Sequence, residues 1–120
     1  MSGGRADDLK TLLGTRAFVA LAEAFGGTRL YVPQTIGSDH AIAQAVGEAP
    51  ARRLSERFAP DTIRVPLARE DRAMQYRADG LSNAAIARRL GMTEPGVEQL
   101  FKRLDNPPAK GSSQLSLFDR

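Results

Sequence analysis

Residues 82–104 constrain the fold more than any other part of the 120-residue chain. Within them, Ser82 is a residue type that caps helices, and an apolar stripe at helical spacing follows that comprises Ile86, Ala87 and Leu90. Gly91 comes directly after this stripe, where a sharp turn needs the positive φ that glycine adopts at little cost. The pattern predicts a short helix that ends in a tight turn, with the small Ala87 placed where a second helix can cross closely.

The second helix is predicted directly after this turn. Thr93 is a residue type that caps helices, and Pro95 falls in the first turn, where its missing N–H is harmless. Val97, Leu100 and Leu104 then form an apolar face toward the core. The spacing of the small residue, the turn glycine and the valine is that of a helix-turn-helix that reads DNA, and a plain helical hairpin is the alternative.

The outward side chains of this segment are polar and suit nucleic acid. In the major groove, Gln99 can pair with an adenine edge and Glu98 can accept a hydrogen bond from cytosine N4. Glu94 is either a base contact or a partner for the positive end of its own helix. The positively charged side chains suit phosphate contacts, and they are Arg88, Arg89, Lys102 and Arg103. The predicted DNA-binding residues are Ser82, Asn83, Arg88, Arg89, Thr93, Glu94, Glu98, Gln99, Lys102 and Arg103.

An internal repeat precedes the helix-turn-helix. Residues 15–25 and 51–58 have helical spacing, and each run is followed by a short strand-like run, 28–32 or 62–65, that ends at a proline. The matching pairs lie 33 residues apart and are Leu21 and Leu54, Glu23 and Glu56, Phe25 and Phe58, Leu30 and Ile63, Val32 and Val65, and Pro33 and Pro66. The repeat indicates one helix–strand unit that is used twice.

The two predicted strands suggest an assembly. Two isolated short strands make a marginal sheet, and the matching strands of a second chain would complete it. We therefore expect a homodimer, and the alternative is an intramolecular two-stranded ribbon. The predicted interface residues are Leu30, Tyr31, Val32, Ile63 and Val65.

The predicted fold class is mainly α with short β-strands, combining a helical dimerisation domain with a C-terminal helix-turn-helix. A short helix is also expected over residues 39–46, and a charged helix over 68–78. The charged helix either contacts phosphates through Arg72 and Arg77 or simply links the domains. The predicted domains are a tail over residues 1–14, a dimerisation domain over 15–66, a DNA-binding domain over 67–105, and a flexible linker with a docking tail over 106–120.

Composition excludes several kinds of chemistry. The chain has no cysteine, which excludes disulfides and cysteine zinc sites, and His40 is its one histidine, which excludes a histidine-rich metal site within the chain. We interpret His40 as a surface or helix-start residue. Glu70 and Asp71 read as a solvated helix start, because no nucleophile or phosphate loop accompanies them. We expect neither an enzyme nor a bound cofactor or metal.

Charge and hydropathy set the expected surroundings. The net charge of +3 suits nucleic acid, although a solvated surface explains it equally well. No run approaches the roughly 18 apolar residues that span a membrane. The polar N-terminus lacks the apolar core of a secretory signal. We therefore expect a cytoplasmic protein of a bacterial cell.

The order of these segments resembles a known family. Residues 21–33 read Leu-x-Glu-x-Phe-Gly-Gly-Thr-Arg-Leu-Tyr-Val-Pro, and an echo ending at Pro66, a charged helix and the helix-turn-helix follow. Over residues 18–104 the chain resembles the Mor/C family of phage middle-gene transcription activators. The resemblance implies a homodimer with strands at its interface, binding to imperfect inverted repeats, and activation through contact with bacterial RNA polymerase. The second copy departs from the family pattern, with Ala59-Pro60-Asp61 where a Gly-Gly pair is usual.

A short apolar peptide follows the linker at the C-terminus. Gln114, Leu115, Ser116, Leu117 and Phe118 resemble, at all five positions, the motif by which bacterial polymerases and repair proteins bind the sliding clamp. Large apolar residues on a flexible leash typically order on binding a partner. A clamp-binding replication or repair accessory is therefore the alternative function. A tail folded back on its own domain, or exchanged with a dimer mate, is the alternative structure.

Overall fold

Helices make up most of the fold, as the apolar periodicity predicts. The computed structural model describes residues 5–105, and within that range the chain is mainly helical with one small two-stranded antiparallel sheet. The elements are α1 (Arg5–Leu13), α2 (Thr15–Phe25), β1 (Arg29–Val32), α3 (Ala41–Val46), α4 (Glu48–Phe58), β2 (Asp61–Arg64), α5 (Arg69–Ala78), α6 (Asn83–Leu90) and α7 (Glu94–Asp105). None of these helices is long and apolar enough to cross a membrane.

The described residues divide into two compact units within α5. Unit 1 ends at Gln75 and unit 2 begins at Tyr76, whereas the sequence predicted a boundary after residue 66. The segment beyond β2 contacts unit 1 through an ion pair, in which Lys10 Nζ in α1 lies 2.7 Å from Asp71 Oδ1 in α5. The Gly27 N–H also donates to the Val65 carbonyl at 2.7 Å.

The predicted N-terminal tail is wrong from Arg5 onward, because α1 belongs to the core of unit 1. Leu9 is completely buried and Leu13 is 5% exposed. Their side chains fill space that α2 and α4 leave between them, since α1 packs against both helices. The same buried cluster contains Phe18, Leu21, Val32, Ile42, Ala43, Ala51, Leu54, Ile63 and Val65.

Truncating Leu9 tests whether α1 is part of the fold. Leu9→Ala should lower the free energy of unfolding by about 2–5 kcal/mol, because it leaves a cavity in a closed core. Urea unfolding followed by circular dichroism measures this loss. Thr11→Ala, on the exposed side of the same helix, is the matched control. If both variants unfold at the same urea concentration as the wild type, residues 5–13 do not contribute to the core.

The two strands pair with each other inside one chain. β1 and β2 are antiparallel, and Leu30 lies opposite Ile63. Because these two residues are also equivalent positions of the 33-residue repeat, a local two-fold axis between them relates β1 to β2. The intramolecular ribbon, which was the alternative, is therefore the arrangement in the structure.

This pairing corrects the predicted dimer interface. Val32 and Val65 are completely buried and Ile63 is 1% exposed, all within unit 1. They cannot contact a second chain while unit 1 keeps this fold. Leu30 is half-buried against the same core, and Tyr31 is 56% exposed on the outer face of the sheet. The prediction therefore assigned these apolar side chains to a second chain instead of the core of unit 1, and it included Tyr31, which lies on the opposite face of the sheet.

Candidate nucleic-acid interface

Helices α6 and α7 are joined by a three-residue turn whose geometry follows from its sequence. Ser82 Oγ accepts a hydrogen bond from the Ala85 N–H at 3.2 Å and so caps α6. Gly91 has the left-handed φ of 68°, and the next N–H, of Met92, donates to the Ala87 carbonyl at 2.9 Å. This 6→1 bond is the one that closes a Schellman motif, which reverses the chain within one residue.

The second helix begins where the sequence predicts. Thr93 Oγ1 accepts a hydrogen bond from the Gly96 N–H at 3.1 Å, which satisfies one of the unpaired donors at the start of α7. Pro95 is the second residue of the helix, where its lack of an N–H removes no intrahelical bond. Both caps are the ones expected from residue type.

Packing between α6 and α7 fixes which face of α7 is exposed. The two helices contact each other, and Ile86 and Val97 are completely buried. Ala87 is 4% exposed, consistent with a small residue between closely packed helices. Leu100 is buried and Leu104 is half-buried on the same face of α7. The opposite face of α7 therefore remains open.

The open face of α7 is polar, and its charge changes from negative near the start of the helix to positive near its end. Its exposed side chains are Glu94, Glu98, Gln99, Lys102 and Arg103. The carboxylates lie toward the start of the helix and the cations in its last turn. This distribution matches the helix dipole, which favours negative charge at the N-terminus and positive charge at the C-terminus. The α7 face therefore offers hydrogen-bonding groups along most of its length.

The two arginines of α6 that the sequence predicts as phosphate ligands, Arg88 and Arg89, differ in their contacts within the protein. Arg88 and Arg89 are exposed and flank an open cleft of about 410 Å³ that Leu81 and Ala85 also line. The Arg89 guanidinium carbon lies 5.2 Å from the centroid of the Tyr76 ring, so part of this side chain already packs within the protein. Arg88 is therefore the more available phosphate ligand of the two.

Arg77 makes contacts that the sequence analysis missed. Its guanidinium donates to the Leu81 carbonyl at 3.2 Å and to the Asn83 Oδ1 atom, and its central carbon lies 4.8 Å from the centroid of the Phe101 ring. Leu81 and Asn83 follow Arg77 closely in the chain but lie beyond the end of α5, so helical periodicity does not indicate these contacts. The one available signal was an aromatic residue, Phe101, next to the apolar stripe of α7.

The remaining predicted sites have structural explanations. The Ile42 N–H donates to His40 Nδ1 at 3.0 Å, so His40 caps α3 as a helix-start residue. Asp71 forms the ion pair with Lys10. Within residues 5–105, no three His, Asp or Glu side chains cluster in a way that would hold a metal ion. Residues 106–120, with the predicted clamp-binding residues 114–118, lie outside the described range.

Comparisons with protein families, with curated proteins and with solved structures found no match.

Proposed function

We propose that this protein binds duplex DNA in a sequence-specific manner by placing α7 in the major groove. The observation that carries the proposal is the polar face of α7, left open by a tight turn and by close packing against α6. A major groove about 12 Å wide admits one α-helix. In a helix-turn-helix, the second helix enters the groove while the first lies across the backbone.

Two neighbouring side chains of α7 are the proposed base readers. Gln99 can make a bidentate contact with adenine, and Glu98 can accept from the N4 amino group of cytosine. Each good pairing discriminates against a wrong base by about 1–3 kcal/mol. Because glutamate repels phosphate, Glu98 also penalises sequences that do not offer its donor.

Cations around this face are the proposed phosphate ligands. Lys102 and Arg103 occupy the last turns of α7, and Arg88 lies exposed on α6. Ser82 and Asn83 stand at the start of α6, where helix N-termini commonly meet phosphates. Such contacts set the position of the protein on DNA but carry no sequence information directly.

Transcription activation and a homodimer are further parts of the proposal, and both rest on the resemblance to the Mor/C family. An activator of that kind would bind an inverted repeat as a dimer and contact bacterial RNA polymerase. Because β1 and β2 pair within one chain, a dimer would need a surface other than their buried face. Light scattering on the purified protein gives its mass directly, and a monomer on an inverted repeat would contradict the dimeric part.

Selection from duplexes with a randomised centre tests DNA binding. The wild type should enrich one sequence and bind it about 10³-fold or more tightly than a scrambled duplex of equal composition. Enrichment of no sequence, or equal affinity for both duplexes, would contradict sequence-specific binding.

A second candidate function is clamp binding by the C-terminal peptide, which the five-residue match at 114–118 favours. The full chain should then co-elute with a purified bacterial sliding clamp. The double variant Leu117→Ala, Phe118→Ala should lose co-elution, because these side chains would fill an apolar pocket. Asp119→Ala is the matched control outside the motif. Failure of the wild type to co-elute would remove this candidate and leave DNA binding untouched.

A further inference from the structure

We propose that Arg77 is a positioning residue that sets the α7 face for DNA reading without touching DNA itself. The inference rests on the proposed function and deepens it. Arg77 lies in the last turn of α5, and its guanidinium reaches the residues before α6, the first residue of α6 and the middle of α7. One side chain therefore connects three segments of unit 2.

The contact with Phe101 bears directly on the base-reading residues. Phe101 is half-buried and lies two residues after Gln99 and three after Glu98 on the same helix. The guanidinium carbon of Arg77 lies 4.8 Å from the centroid of the Phe101 ring. This contact limits rotation of α7 about its axis and translation along it. Because a small misplacement of a reading helix breaks bidentate contacts, the stacking acts on specificity through geometry.

The contact with Asn83 fixes the direction of an amide. A guanidinium can only donate, so Asn83 must present its oxygen to Arg77 and its NH2 group elsewhere. Asn83 is the first residue of α6, next to the capping Ser82. The NH2 group is thereby oriented as a donor at a helix start, where a phosphate oxygen is a suitable acceptor.

Lysine cannot substitute for arginine in this arrangement. The planar guanidinium offers a rigid fork of donors and a flat surface that stacks on a ring, whereas an ammonium group is a compact point charge. Arg77 uses the donor fork for the Leu81 and Asn83 oxygens and the flat surface for the Phe101 ring. Charge alone would not preserve the position of α7.

The sequence also allows Arg77 to be a direct phosphate ligand, and salt dependence separates the two roles. Neutralising one phosphate changes the slope of log affinity against log salt by about 0.9 on B-DNA. Loss of a positioning residue leaves this slope unchanged. It lowers affinity for the selected duplex more than for a scrambled one.

The experiment measures affinities for the selected and scrambled duplexes over a range of salt, using the full-length wild type, Arg77→Met, Arg77→Lys and Arg69→Met. Arg69 is an exposed arginine at the start of α5 and provides the matched loss of charge. Both Arg77 variants should bind the selected duplex about 10-fold more weakly, with a smaller loss on the scrambled duplex and the slope unchanged. Arg69→Met should bind as the wild type does. Circular dichroism at the same temperature establishes that each variant is folded.

Several results would overturn the proposal. A slope reduced by about 0.9 in Arg77→Met would make Arg77 a phosphate ligand. Full affinity in Arg77→Lys would show that charge is sufficient, and full affinity in Arg77→Met would remove any role. If the wild type selects no sequence, both the proposed function and this inference are overturned. If the wild type selects a sequence and the Arg77 variants bind it equally well, this inference alone is overturned.

Discussion

Replacing Gly26 with alanine should lower the free energy of unfolding of unit 1 by about 3 kcal/mol or more, because the added methyl group has no space. A Cβ atom at this position would lie 2.4 Å from the Ala22 carbonyl oxygen and 3.0 Å from the Pro66 carbonyl oxygen. Both atoms belong to the backbone, so no side chain can move aside. The φ of −54° is accessible to alanine, and the effect is therefore one of close approach.

Gly37→Ala is the matched control for this variant. A Cβ atom at Gly37 would meet one atom of a flexible side chain, Asp39 Oδ1, at 3.2 Å. In urea unfolding, the midpoint concentration of Gly37→Ala should be close to that of the wild type, and the midpoint of Gly26→Ala should be far lower. Equal midpoints for the two variants would contradict the close approach of both backbone oxygens to Gly26.

Removing both proposed base readers should sharply reduce the preference for the selected duplex. The double variant Glu98→Ala, Gln99→Ala loses two contacts worth about 1–3 kcal/mol each, so affinity for the selected duplex should fall by about 30-fold or more. Affinity for a scrambled duplex should stay the same or rise, because a carboxylate that repels phosphate is gone. Titrations of both duplexes at one fixed salt concentration measure this ratio.

A double variant of the same composition on unit 1 controls for surface charge. Gln44→Ala, Glu48→Ala changes one exposed glutamine and one exposed glutamate on α3 and α4. It should keep the full preference for the selected duplex. Loss of preference in this control, or retention in the α7 variant, would contradict the assignment of α7 as the reading helix.

Local sequence patterns predicted much of the fold. The apolar positions of α2 gave its bounds, and Ser82, Gly91 and Thr93 gave the ends of α6 and α7, because caps and turns depend on residues that are close in the chain. The α1 helix escaped prediction because it is short and its first residues are charged and polar. Its stability comes from burial of Leu9 and Leu13, which periodicity over so few residues does not reveal.

The pairing of β1 with β2 was harder to predict than the strands themselves. Alternation of polar and apolar residues indicates a strand but carries no information about which strand lies beside it. The equivalence of Leu30 and Ile63 in the repeat was the available signal, since an antiparallel pair of like strands places equivalent residues opposite each other.

For the candidate site, residue type predicted which side chains of α7 are exposed but not what holds the helix in place. The contact of Arg77 with Phe101 joins residues that are far apart in the chain and are brought together only by folding. No period of a helix or strand links them. Such contacts require the packed structure of unit 2.

Mapping backbone amide shifts by NMR is the most direct test of the central claim, that α7 is the surface that reads DNA. Isotope-labelled full-length protein would be titrated with the selected duplex and separately with the scrambled one. We expect the largest shifts specific to the selected duplex at residues 93–103, with smaller changes at 82–89. Larger specific shifts in α3 or α4, or identical shifts with both duplexes, would contradict it.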